Sequence, residues 1–231
     1  MRDRKSADIC IIIPAYNEYK RIGSTIEKQA KELERWAAQI LVCDDGSSDS
    51  TSAIAKTVAN RTGTNLILLR QAHVGRGEAL RHAVKKCVSR YVVFSSADVV
   101  VRNIEIEEAL RRLRTAHLVM FSKVRSQEYG GTAFRRILSR CFALLVRTLF
   151  QVRFHDTQGV KVMRLLTAKQ IMPFCRSKGF FLDAEVAIVA LKHCLRVVEQ
   201  PWRYSYSLGS KVTPSAIARM VIEMLVTRFL S

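Results

Sequence analysis

The chain has 231 residues, 48% hydrophobic and 25% charged, a balance that excludes a disordered, collagenous or coiled-coil polymer and fits one domain spanning residues 1–231. Lysine and arginine number 38 against 20 acids, and the formal charge of +18 makes a field that attracts phosphates on nucleotides, nucleic acids or anionic lipids without choosing among them. There is no long uninterrupted apolar stretch, no apolar leader region near the start, and no CxxC pair among six cysteines; the expectation is a chain neither secreted nor membrane-spanning, with buried free thiols in a reducing compartment.

Residues 9–13 form a short β-branched run ended by Pro14, and residues 40–43, 65–69, 91–95 and 118–121 repeat that character, which predicts buried strands. Between them, residues 20–38, 50–61, 77–89 and 104–116 carry helical patterns with Ser and Asp placed as N-caps. Strand and helix alternate. That order predicts an α/β, Rossmann-like, mostly parallel sheet with helices on both faces, and ligands beyond the carboxyl ends of its strands.

The second half changes character. Between residues 123 and 164 there are nine Lys/Arg against two acids. Within that stretch Phe134, Leu138, Cys141, Leu145 and Leu149 recur at helical spacing, with Arg136, Arg140 and Arg147 on the opposite side of the wheel. Residues 132–150 are therefore a basic amphipathic helix and a candidate for a membrane interface, and the apolar residues 214–231 are a second.

Three turns after predicted strands carry chemistry: Asn17 and Glu18 after the first, residues 44–49 (DDGSSD) after the second, and Ser96, Ala97 and Asp98 after the fourth. An acidic cleft in a basic protein calls for a divalent cation between carboxylates and a phosphate, which fits a nucleoside diphosphate with Mg²⁺ or Mn²⁺. Asp49 alone reads as a helix cap. Gly75, Arg76 and Gly77 are either a turn before a helix or a backbone nest with an arginine for phosphate, and no Walker loop is present.

The motifs IIIPAYNE (11–18), VCDDGSSDST (42–51), GRGEALRHA (75–83) and SADVV (96–100) resemble, in order and spacing, those of inverting family 2 glycosyltransferases of the A-type fold. FSKVR (121–125), FRRILSRCF (134–142), DTQGVKVMR (156–164), FFLDAEV (180–186) and GSKV (209–212) are similar to its polyprenyl-phosphate branch, which includes dolichyl-phosphate mannose and glucose transferases. The resemblance implies transfer of a hexose from GDP-mannose or UDP-glucose to a polyprenyl phosphate, with inversion. It assigns Pro14, Tyr16, Glu18, Asp45, Arg76, Ala97 and Asp98 to the nucleotide sugar, and Asp98 also to the metal. Lys123, Arg135 and Lys211, with Asp98, are the implied catalytic set, with the three basic residues facing the phosphates. Ser139, Asp183 and Glu185 fall on the acceptor side of the cleft.

Two departures bear on the metal. The family reads Asp-Ala-Asp-Leu-Gln after the fourth strand where this chain has Ser96 to Val100, so a carboxylate and an amide are replaced by a hydroxyl and an isopropyl group. Mg²⁺ or Mn²⁺ then leans on Asp98, the diphosphate and water, and binds weakly with nucleotide assistance. The usual arginine is Lys123, which keeps the charge but not the bidentate fork. The implied location is the cytoplasmic face of a membrane, held peripherally, with room for a separate membrane-anchoring subunit. A catalytically silent membrane scaffold is one alternative. A nucleic-acid-binding module is another, disfavoured because no stacking array, zinc spacing or helix-turn-helix signature accompanies the basic residues.

Overall fold

A computed structural model describes residues 8–122, 133–156, 159–202 and 214–229; the side chains of residues 133–136, 138, 139, 214 and 215 lie outside the description. In chain order the elements are β1 (Ile9–Ala15), α1 (Ile22–Glu32), β2 (Ala38–Asp44), α2 (Thr51–Thr62), β3 (Leu66–Arg70), α3 (Arg76–Lys86), β4 (Tyr91–Phe94), α4 (Asn103–Arg112) and β5 (Leu118–Ser122). These are followed by α5 (Ala133–Phe150), β6 (Lys161–Arg164), α6 (Leu165–Ile171), a 3₁₀ turn at Met172–Phe174, α7 (Leu182–Lys192), β7 (Val197–Pro201) and α8 (Pro214–Phe229).

The strands form one sheet in the order β3-β2-β1-β4-β6-β5-β7, with β6 antiparallel to both β4 and β5 and the other pairs parallel. Alternation along β1 sends Cys10 and Ile12 into one core and Ile9, Ile11 and Ile13 into the other. The first core is closed by α3, α6 and α7, with Val146 of α5 and Met224 of α8. The second is closed by α1, α2 and α4. With both faces covered, β1 is buried at every position, which is why it reads as an unbroken apolar run.

Several expectations are corrected. Pro14 does not end its strand: β1 continues to Ala15, pairing with Asp44. Ile12 O accepts from Ser95 N, and Ala15 O from Asp45 N, so Pro14 faces the β4 side just past Phe94, where no ladder bond is required of it. Helix α1 is shorter than residues 20–38, because Leu33 to Trp36 form a turn and Ala38 already pairs with Ile9. Ser50 makes no capping bond; Asp49 Oδ1 accepts from Thr51 N at 2.9 Å instead. Cys141 and Cys194 are exposed, whereas the other four thiols are buried. Burial pushes Cys43 up to about 12, with the carboxylates of Asp45 and Asp44 adding to it.

The stripe predicted on α5 is rotated. Ala143 and Val146 face the core with Phe142, Leu149 and Phe150 packed beside them, while Cys141 and Leu145 are exposed. Ile137, Leu144 and Leu145 share the outer surface with Arg140 and Arg147. Helix α8 repeats this design: Met220, Met224 and Thr227 are inward, and Ile222, Leu225, Val226 and Phe229 are exposed. The two helices meet where Arg228 Nε donates to Leu149 O at 2.8 Å. Among the described residues no helix is long and apolar enough to cross a membrane.

Candidate active site

The strand order reverses at β1, which leads to β2 on one side and lies against β4 on the other, so the crevice of this sheet opens at the carboxyl ends of β1, β2 and β4. The three chemically marked turns meet there. Asn17, in a left-handed conformation at φ 52°, accepts from Ser48 N at 2.9 Å and donates its own N–H to Ser47 Oγ at 2.9 Å. Glu18 N donates to Thr51 Oγ1 at 2.7 Å, locking the first turn to the start of α2. The Glu18 carboxylate pairs with Arg21 at 2.8 Å.

Asp44 and Asp45 are both buried, and each organises backbone. Asp44 accepts from Ser47 N at 2.8 Å and from the Ser52 hydroxyl. Asp45 reaches across to the loop between β3 and α3, accepting from Gln71 Nε2 at 2.7 Å, Val74 N at 3.1 Å and Gly75 N at 2.8 Å. Its Oδ2 lies 2.8 Å from His73 Nδ1, and the His73 ring stacks on Tyr16 with centroids 3.9 Å apart. The nest reading of Gly75 to Gly77 is thereby corrected, since Gly75 N serves Asp45 and Gly77 N donates to Lys178 O at 2.7 Å. Gly75 has φ 136°, and a Cβ there would collide with Lys178 O, so this backbone must be glycine.

Arg76 projects from that loop to the β4 turn. Its Nη2 donates to Ser95 O at 3.0 Å, and its Nε pairs with Asp183 Oδ2 at 3.0 Å. Lys161, fully buried on β6 beside Phe94, donates to Gly159 O at 2.9 Å and lies 3.8 Å from Asp183 Oδ1. Two cations thus share one carboxylate beneath the turn that carries Asp98. On that turn the Ser96 hydroxyl donates to Asp98 Oδ1 at 2.6 Å.

Of the residues expected here, Tyr16, Glu18, Asp45, Arg76, Asp98 and Asp183 are brought to the crevice. Pro14 is buried inside β1, and Ala97 is buried, with its carbonyl accepting from Thr25 Oγ1 at 2.6 Å, so neither offers side-chain surface. Glu185 is also corrected. It is fully buried and accepts from Arg176 N and Ser177 N at 2.9 and 2.8 Å and from Thr227 Oγ1 at 3.3 Å, which makes it an anchor for the segment before α7. Lys123 and Lys211 lie outside the described residues, as do the side chains of Arg135 and Ser139 on α5. The sequence reading missed His73 and Lys161. A single lysine inside the apolar run Val160 to Met163 was a usable signal for the second; nothing local marks the first.

Asp98 is the carboxylate of the β4 turn, and among the described residues no group of three His, Cys, Asp or Glu could hold a metal ion. A cavity of about 790 Å³, lined by Trp36, Arg90, Tyr91 and Arg164 among others, opens instead at the amino end of β4, away from these turns.

The sequence pattern of Glycosyl transferase family 2 matches residues 10–171. The chain belongs to that family. Like this glycosyltransferase, its relatives span most of the chain: a dolichyl-phosphate beta-glucosyltransferase of Dictyostelium discoideum is 26% identical, covering 96% of this chain and 74% of that protein. One of the same description from Drosophila melanogaster is 27% identical over 93% of this chain and 72% of its own. Glucosyl-3-phosphoglycerate synthase of Mycobacterium tuberculosis with phosphoglyceric acid superposes with a TM-score of 0.71 at 16% identity, covering 97% of this chain and 81% of that one. The same enzyme with Mn²⁺, UDP-glucose and phosphoglyceric acid gives 0.69 at 18% identity, covering 97% and 80%. The glycosyltransferase described here has the A-type fold.

Proposed function

We propose that this glycosyltransferase moves a glucosyl group from UDP-glucose to a polyprenyl phosphate of the dolichyl type, with inversion, at the cytoplasmic face of a membrane. The carrying observation is one juxtaposition. An acid-and-arginine crevice at the carboxyl ends of β1, β2 and β4 is tied, through residues 175–179, to a helix pair whose leucines and arginines face outward. The names of the relatives support the lipid acceptor and the glucosyl group, and the UDP-glucose complexes of the structural neighbours support the donor.

The chemistry asks for no general base on the acceptor. A phosphate monoester has a second pKa of about 6, so its oxygen is already anionic at neutral pH. The protein's tasks are to hold that oxygen in line behind the anomeric carbon and to neutralise the departing diphosphate. Arg76, held at Ser95 O by Asp183, puts a guanidinium beside the β4 turn. Lys161, 3.8 Å from the other oxygen of Asp183, adds an amine to the same cluster. Lys123, Arg135, Ser139 and Lys211 complete the phosphate contacts in this reading, on the strength of their motifs. A divalent cation, when bound, would supply further positive charge to the diphosphate, with Asp98 as its protein ligand.

Outward Ile137, Leu144 and Leu145 on α5, with Ile222, Leu225, Val226 and Phe229 on α8, give the lipid acceptor a surface to approach along, and Arg140 and Arg147 meet anionic headgroups there. The test is transfer of radiolabel from UDP-glucose into organic-extractable lipid by the full chain with polyprenyl phosphate in vesicles, with GDP-mannose run in parallel. Glucosyl lipid is expected. Label from GDP-mannose alone would reassign the donor, and no labelled lipid from either, with intact nucleotide binding, would favour the silent scaffold that the Ser96 and Val100 changes permit.

A further inference from the structure

A nucleobase held at the end of a parallel sheet needs an aromatic face to stack on and an acceptor for its ring N–H. The crevice offers both. Tyr16, 40% exposed, presents the face, and the Asp45 carboxylate lies at the end of β2. Both are already in contact with His73. Its ring lies nearly parallel to Tyr16, 18° between planes with centroids 3.9 Å apart, and its Nδ1 is 2.8 Å from Asp45 Oδ2 and 3.1 Å from Asp45 O. An imidazole is a planar heteroaromatic ring with an N–H on its edge, which are the features a base would present.

We propose that His73 fills the nucleobase position of the ligand-free chain and must swing out before the donor binds. The inference rests on the reading of this crevice as a nucleoside diphosphate site. The geometry makes the exchange cheap. The His73 side chain is half exposed and sits in a loop, so rotation moves it into solvent without repacking either core. When it leaves, Asp45 keeps Gln71 Nε2, Val74 N and Gly75 N, so the buried carboxylate is not stranded. Gly46 holds the loop close: its φ is 76°, and a Cβ there would lie 2.7 Å from His73 N. The loop backbone therefore stays while the ring moves. His73 acts as a gate on affinity, because the apparent dissociation constant is the intrinsic one divided by the fraction of chains with the ring out.

Titration calorimetry with UDP on the full-length chain decides it. His73→Ala is expected to bind UDP about three- to tenfold more tightly than wild type, because the occupied fraction is removed. His73→Phe, which keeps the stack but loses the N–H, should fall between them. Equal or weaker binding by His73→Ala would overturn the proposal, since the ring would then be a bystander or part of the base shelf. Tyr16→Ala, made in both backgrounds, separates the two readings. It should weaken UDP binding in each, and if it has no effect while UDP still binds, the nucleotide lies elsewhere and the site reading fails whatever His73→Ala does. No UDP binding by wild type or by His73→Ala would overturn both readings. Matching urea midpoints for wild type and variants establish that folded proteins are being compared.

Discussion

Asp183, at the start of α7, and Arg76, at the start of α3, are 107 residues apart in sequence and 3.0 Å apart in space, and the fully buried Lys161 amine lies 3.8 Å from the other oxygen of the same carboxylate. One acid thus compensates two cations from different elements, and it does so under the turn that carries Asp98. Removing it leaves charge behind in a poorly solvated place, the costly half of any buried ion pair.

Asp183→Asn should therefore destabilise the chain by about 3 to 5 kcal/mol, the range for stranding a buried charge. Arg76→Met, Lys161→Met and Asp183→Leu made together should lose much less than the single change, because the acid and both of its cations go together. Urea unfolding of the three proteins checks this. A single variant as stable as wild type would mean that the pair is open to water.

Asp45 carries a second test. The family resemblance implies a nucleotide contact there; the structure makes Asp45 the post to which the loop from Gln71 to Gly75 is tied. Asp45→Ala should lower the unfolding free energy by about 1 to 3 kcal/mol, since Val74 and Gly75 lose an acceptor they cannot all replace with water. It should also speed amide exchange at those two residues. Unchanged exchange with weakened UDP binding would limit Asp45 to ligand contact.

Much of this was legible in the sequence, for a physical reason. Strands β1 to β5 and the helices between them are separated by strong punctuation and carry unbroken apolar runs or clear helical periods, so their order followed from pattern alone. Strand β6 did not, because it passes straight into α6 with no punctuation between them and its partners β4 and β5 come from the other half of the chain. The single apolar stripe read on α5 likewise mixes two faces, since Leu149 packs on the core and Leu145 is exposed. The helix has two apolar faces, one on Ala143 and Val146 and one on Ile137, Leu144 and Leu145, and the sequence pattern alone does not say which is inward. Within the site, the motifs carrying Tyr16, Asp45 and Asp98 fall at the carboxyl ends of their strands, yet hydrogen bonding to distant backbone, as at Glu185, leaves no trace in local sequence.

The outward face of α5 and α8 leads to a membrane prediction. The chain should float with vesicles containing anionic lipid, and Arg140→Glu with Arg147→Glu should weaken that partition by roughly 30-fold or more, taking about 1 kcal/mol per basic residue near the surface. Leu144→Asp with Leu145→Asp should weaken it too, and that loss should persist at high salt, whereas the arginine contribution fades as screening shortens its range. Partition indifferent to both pairs would move the contact to another surface.

The last prediction concerns the cation. Ser96 donates to Asp98 Oδ1 at 2.6 Å, so one carboxylate oxygen already has a partner and the turn offers a metal a single strong ligand. A hard divalent cation asks for about six oxygens, and water and the diphosphate must supply the rest. Mn²⁺ should therefore bind weakly alone and more tightly with UDP, and by linkage UDP should bind more tightly with Mn²⁺ by the same factor. Ser96→Asp adds a carboxylate and removes the internal hydrogen bond, so it should tighten Mn²⁺ binding in the absence of nucleotide, read by paramagnetic relaxation of water protons. Asp98→Ala should abolish the coupling between Mn²⁺ and UDP while UDP alone still binds. Tight Mn²⁺ binding by the nucleotide-free wild type, or coupling that survives Asp98→Ala, would place the cation on other residues and overturn this account of the β4 turn.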